Sequence, residues 1–172
     1  INRHTLHNTD NAILLHTITT KVGNKKINIL LDSCSTHTMV NKEIAKILKA
    51  KKLRETRVII ENVHGEEEYP ADVVEIKLPF NTNIIAYSIN NELTMNEADE
   101  SLINQMWPNL DKETLQEVLQ NAYTGPTHII IGQDNYWKFE LSNMITHKTK
   151  TSGLIQTKFG WSISGNLSSS TG

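Results

Sequence analysis

Ile29-Leu30-Leu31-Asp32-Ser33-Cys34-Ser35 is the stretch on which the reading of this chain turns. An apolar, β-prone run that ends in a carboxylate, followed by three small polar residues, places a charge where a buried strand stops. Such a charge is costly unless hydrogen bonds or a partner charge satisfy it. Two readings fit the spacing: a carboxylate belonging to a site, or a turn-forming Asp that caps backbone amides. Upstream, Ala12 to Val22 mixes apolar and β-branched residues, and Gly23-Asn24 supplies turn chemistry before Lys25 to Leu31. The segment is therefore a β-hairpin whose second strand delivers Asp32 to a loop.

Downstream, Asn41 is placed to cap a short helix in which Ile44, Ile47 and Leu48 follow helical spacing, ending near Ala50. Arg57 to Val63 and Tyr69 to Leu78 read as a second hairpin, joined by the acidic, mobile tip His64-Gly65-Glu66-Glu67-Glu68. Asn83 to Ile89 is another strand and Ala98 to Met106 a helical stretch. Asp111 then caps a clearer helix, because Leu115, Val118, Leu119 and Ala122 share a face and Gly125-Pro126 stop it. His128 to Ile131 is a buried strand running into Gly132, Gln133 to Glu140 one or two helical turns, and Leu154 to Gly165 two short strands. The fold class is mainly β with helical insertions. No internal repeat occurs, which argues for a single lobe.

Composition narrows the function. The 172 residues carry 17 Lys and Arg against 19 Asp and Glu, a formal charge of −2, with 38% hydrophobic and 21% charged residues. This is the balance of a chain that can bury a core, and it lacks the broad positive charge that drives non-specific nucleic-acid binding. Seven of the 17 cations fall between Lys42 and Arg57, but no aromatic residues interleave them, so they read as a solvated helix face. One cysteine, Cys34, precludes an intramolecular disulfide or a Cys-based zinc cluster and suits a reducing, intracellular and most simply cytoplasmic setting. The histidines at 4, 7, 16, 37, 64, 128 and 147 show no metal-ligand spacing, so neither metal nor cofactor is expected. His37, three residues from Cys34, reads as an ordinary polar residue. No apolar stretch approaches the roughly 20 residues of a membrane span. The start, Ile1-Asn2-Arg3-His4, has neither an initiator Met nor a signal-peptide core, and residues 1–11 read as a leader in a larger chain.

Three motifs, in order, resemble the retropepsin-like aspartic proteases of Bel/Pao-type LTR retrotransposon polyproteins. Leu30-Leu31-Asp32-Ser33-Cys34-Ser35 is similar to that family's apolar-apolar-Asp-Ser/Thr-Gly-Ser, and Ile129-Ile130-Ile131-Gly132-Gln133-Asp134-Asn135-Tyr136-Trp137 to its apolar-Ile-Gly-x-Asp-x-Tyr-Trp. Thr157-Lys158-Phe159-Gly160-Trp161-Ser162-Ile163-Ser164-Gly165 is close to its Thr-x-x-Gly-Trp-x-x-x-Gly ending. The resemblance covers about residues 12–165, with a helical insertion at about 96–124 and a polar tail at 166–172.

It implies a closed β-barrel of the acid protease fold and a homodimer in which each protomer gives one Asp, here Asp32. The two carboxylates share a proton; one acts as base on water while the other donates toward the peptide carbonyl. Ser33, Cys34, Ser35 and Gly132 would support the catalytic loop, and Val63, His64 and Gly65 would form the flap over a peptide or polyprotein substrate. The acidic run Glu66-Glu67-Glu68 would disfavour acidic peptides if it lies near the cleft. Tyr136 and Trp137 would pack the short helix on the barrel and Trp161 would anchor the terminal strand. Cys34 departs from the family's Gly. Three readings compete there: an active endopeptidase that tolerates the variant, a silent domain kept for dimerisation or protein interaction, or a reactive thiol with chemistry of its own.

Overall fold

The computed structural model describes residues 12–168. In chain order the elements are β1 (Ile13–Leu14), β2 (Thr17–Val22), β3 (Lys25–Leu31), β4 (Met39–Asn41), α1 (Lys42–Ile47), β5 (Lys51–Asn62), β6 (Gly65–Leu78) and β7 (Thr82–Ile89). There follow β8 (Met95–Asn96), α2 (Glu100–Met106), α3 (Lys112–Asn121), β9 (Gly125–Pro126), β10 (Ile129–Ile131) and α4 (Gln133–Tyr136). A 3-10 turn (Trp137–Phe139), β11 (Met144–Thr146), β12 (Ser152–Thr157) and β13 (Gly160–Asn166) complete the chain. The fold is mainly β, and among the described residues no helix is long and apolar enough to cross a membrane.

The strands form a seven-stranded sheet in the order β2-β3-β10-β4-β7-β6-β5, a four-stranded sheet β1-β13-β12-β11, and the short pair β8-β9. None of these closes on itself, so the expected closed barrel is not formed by continuous strand pairing. Buried residues from six of the seven strands of the large sheet, Ile18, Ile29, Val40, Ile76, Ile84 and Ile131 among them, meet in one cluster with Ile44 of α1 and Phe139.

The helical insertion serves the other sheet. Ile103 and Met106 of α2 and Val118 of α3 pack with Leu14, Leu154 and Ile163 in a second cluster. α3 begins as the sequence indicates, with Asp111 accepting from the Thr114 N–H, whereas α2 begins at Glu100 rather than Ala98, after Asp99, which accepts from the Ser101 N–H; both caps satisfy donors that a helix start leaves open. Asn41 does the same for α1, accepting from the Glu43 and Ile44 amides. The chain remains packed past residue 165, since Asn166 ends β13 and Leu167 is buried in the second cluster.

Several expectations are corrected. The second hairpin is longer than its sequence pattern, running from Lys51 to Leu78 with a two-residue turn at Val63-His64; Glu66, Glu67 and Glu68 belong to β6 and not to a loose tip. Gly65, at φ +116°, takes the conformation that closes this turn. Of the basic cluster, Lys51, Lys52, Arg54 and Arg57 stand on strand β5 and only Lys42 and Lys46 on a helix. Gly125-Pro126 both follow α3 and pair with β8. Trp137 is not a core residue: it is 76% exposed, whereas Tyr136 packs on the first cluster and Trp161 on the second. The expectations for His4 and His7, for the leader and for residues 169–172 fall outside the described residues.

Candidate functional site

Asp32 stands where two parallel strands end together. Ile29 to Leu31 of β3 pair with Ile129 to Ile131 of β10, and the Asp32 N–H donates to the Ile131 carbonyl at 2.9 Å. Beyond this point the chains separate. Residues 32–38 form a loop, and Gly132 starts the turn into α4 beneath it. The Gln133 amide donates to the Ser35 carbonyl at 2.8 Å, the Asp134 amide to Thr36 at 3.1 Å, and the Gln133 side chain to the Ser33 carbonyl at 2.9 Å. A segment with little secondary structure is thus tied along its length to a second segment about a hundred residues away.

Gly132 is required by this approach. A Cβ placed there would lie 2.7 Å from the N, C and O atoms of His37, so any side chain would push the loop off its support. Thr38 completes the attachment. Its hydroxyl donates to Asp134 Oδ1 at 2.7 Å and accepts from the Gly132 amide at 3.1 Å and from Asn135 Nδ2 at 2.8 Å, which uses its one donor and both lone pairs. Asn135 also donates to the Ile85 carbonyl, which carries the tie to β7.

The Asp32 carboxylate is half-buried and each oxygen has one partner. The Cys34 N–H donates to Oδ1 and the Ser35 hydroxyl to Oδ2, both at 3.1 Å. Ser35 is buried; Ser33 and Cys34 are exposed, and Cys34 is a free thiol. Cys34 has no positive φ, so the loop does not demand glycine at this position. The Ser33 hydroxyl has no hydrogen-bond partner among the described residues, because only its carbonyl is engaged.

Cys34 and Ser35 form one wall of a groove of about 660 Å³. The opposite wall is the β5 shaft from Thr56 to Glu61, with Glu66 of β6, and Met39 and Tyr87 also contribute. His37 lines the groove with its ring edge-on to Tyr87, centroids 5.4 Å apart. The groove is lined by the shaft of the hairpin, and Val63, His64 and Gly65 at its tip are not among the lining residues. Arg57 is paired to Glu68 at 2.5 Å. Glu61 and Glu66 face each other in register with no ion pair of their own, leaving the groove wall net negative.

Among the described residues no group of three or more His, Cys, Asp or Glu side chains is arranged to hold a metal ion. The arrangement holds a carboxylate by two donors in the loop that walls the groove, although Asp32 itself is not among the residues that line it. No protein-family model matches the chain, and no curated protein matches it. Thr38, Asn135 and the shaft residues were not found from sequence. The signal available was Asp134-Asn135 inside the second motif, a polar pair directly after a buried strand.

Proposed function

We propose that this chain is a retropepsin-like aspartic endopeptidase of the Bel/Pao type, active as a homodimer and processing a polyprotein in a reducing, cytoplasmic setting. The observation that carries the reading is the Asp32 carboxylate itself. It ends a pair of buried strands, is held by the Cys34 amide and the Ser35 hydroxyl, and lies in a loop that walls a groove under a long hairpin.

Each protomer contributes one Asp32, and two such carboxylates brought together share one proton. The ionised partner takes a proton from water, the water oxygen attacks the peptide carbonyl carbon, and the protonated partner donates to the carbonyl oxygen. The resulting tetrahedral species collapses as the nitrogen takes up a proton and leaves. The chain offers no second Asp-Ser or Asp-Thr, so a lone protomer lacks the dyad. The unpartnered Ser33 hydroxyl is available to hydrogen-bond across the two-fold axis, and Cys34 fits without strain where the family has Gly. The fixed loop, tied through Thr38 and Gly132, keeps the carboxylate placed before substrate arrives, which is how positioning lowers a barrier.

The test is hydrolysis of a peptide library by the purified chain and by Asp32→Asn. That variant keeps both acceptors' neighbours and should fold normally with cleavage reduced at least about a thousandfold. Equal cleavage by the two proteins would end the aspartic-protease reading.

A further inference from the structure

The large sheet ends on an open strand. β5 is last in the strand order and pairs only with β6, and among the described residues no other backbone hydrogen bond reaches Lys51–Asn62. Every second residue of such a strand turns its N–H and C=O outward with nothing to receive them, which is a template for another chain. The first part of β5 is guarded. Its register shifts between Lys52 and Arg54, and Lys51, Lys52 and Arg54 crowd it with positive charge. Over residues 56–62 the ladder is regular, glycine and proline are missing, and the charges of Arg57 and Glu61 cancel. Ile59 stands 62% exposed in the middle of this run.

Two copies that pair β5 with β5 about a two-fold axis set residues of the same face opposite each other, so the axis passes through one residue. Charge selects which one. An axis at Arg57 or at Glu61 sets like charges opposite each other, and one at Val58 sets Glu55 against Glu61. One at Thr56 runs into the bulge, and one at Ile60 sets Glu61 against Ile59. An axis at Ile59 sets Ile59 against its own copy, Val58 against Ile60 and Arg57 against Glu61, the last two pairs occurring twice. Glu61 has no ion pair among the described residues and lies opposite Glu66 in its own hairpin, so Arg57 of a second copy supplies a missing cation. Arg57 uses Nε on Glu68 and keeps its other N–H donors for this contact.

We infer that β5 is a self-association edge, which takes the β5 strand of a second copy antiparallel across residues 56–62 with Ile59 on the axis. The added strand satisfies the open backbone groups and covers Ile59. An extended peptide is the rival occupant, since residues 56–61 also line the groove, but the self-matching charges favour a second copy. The pairing uses neither Asp32 nor its loop and goes beyond the endopeptidase reading.

Disulfide trapping in Cys34→Ser protein, which lacks the native thiol, tests it. Opposed residues on paired antiparallel strands bring their Cβ atoms to about 5 Å, near disulfide range. Under oxygen with a copper–phenanthroline catalyst, Ile59→Cys should form covalent dimer at least about 10-fold faster than Phe80→Cys, whose position is 63% exposed. Adding Arg57→Glu or Glu61→Arg sets like charges opposite each other and should slow the Ile59→Cys reaction at least about 5-fold, and adding both should restore it. A dimer formed through the Asp32 loops alone would not show this loss and recovery. Equal rates for Ile59→Cys and Phe80→Cys, no slowing by either reversal, or no recovery in the double reversal overturns the inference. Ile59→Cys that ignores its own copy but traps a cysteine-bearing, β-prone peptide of unrelated sequence assigns the edge to extended peptides and overturns it as well.

Discussion

At Cys34 the backbone carries no demand for glycine, and the side chain is a free, exposed thiol. Its amide donates to Asp32 and it has no positive φ, so the CH2–SH group adds bulk beside the groove without straining the loop. Cys34→Gly should therefore keep or raise cleavage, measured as kcat/KM on one peptide. A folded, dimeric but inactive Gly variant of an active wild type would show that the thiol is needed. Asp32, its polar followers and Gly132 were legible in sequence because a buried run ending in a carboxylate, or in a glycine, is a local anomaly. Thr38 and Asn135 were not: their hydrogen bond joins positions 97 residues apart, and nothing near either residue signals the other. His128 was read as the start of a strand, and the bond its ring accepts from the Asn28 amide, from a residue 100 positions away, has no local signal.

Among the elements, α1 and α3 were readable from their caps, Asn41 and Asp111, and the two hairpins from their turns. Strands β1, β4, β8, β9 and β11 were not, since two or three residues cannot display a period of two. The β5–β6 hairpin was recognised but shortened, because Glu66, Glu67 and Glu68 read as a loose tip although Glu66 stands opposite Glu61 in the ladder. Their placement on the groove wall sets a preference. Glu61→Gln with Glu66→Gln should raise kcat/KM for peptides bearing an Asp or Glu near the cleaved bond by about 2- to 5-fold, as expected for exposed charges. The gain should shrink at high salt. An equal effect on neutral and acidic peptides would contradict a role for these charges in selection.

In the whole molecule two sheets with separate cores are joined by few groups. Asn121, at the end of α3, accepts from the Thr19 amide on β2 and donates to the Phe159 and Trp161 carbonyls, the second of which lies on β13. His16, between β1 and β2, is bonded at 2.7 Å to Ser162 on β13. Because the Ser162 hydroxyl donates to Ile155, His16 Nε2 must be the donor. Burial lowers the pKa of His16 from 6.5 to about 4. Unfolded chains take up this proton as pH falls through 6.5 and folded chains only near 4, so the contribution to stability is complete above 6.5 and is lost on acidification between those values. The ceiling is about 3 kcal/mol, reduced by the part of the ring that water reaches. Denaturant midpoints at neutral and mildly acidic pH should fall further for wild type than for His16→Gln. Equal losses would assign the acid sensitivity elsewhere.

The two-protomer site is tested most directly by the dependence of cleavage rate on protein concentration, with sedimentation measured over the same range. Since each chain carries one catalytic carboxylate, rate should rise with roughly the square of concentration where monomer dominates and become linear where the dimer is saturated. Strict proportionality down to concentrations at which only monomer sediments would contradict a dyad shared between two copies of Asp32.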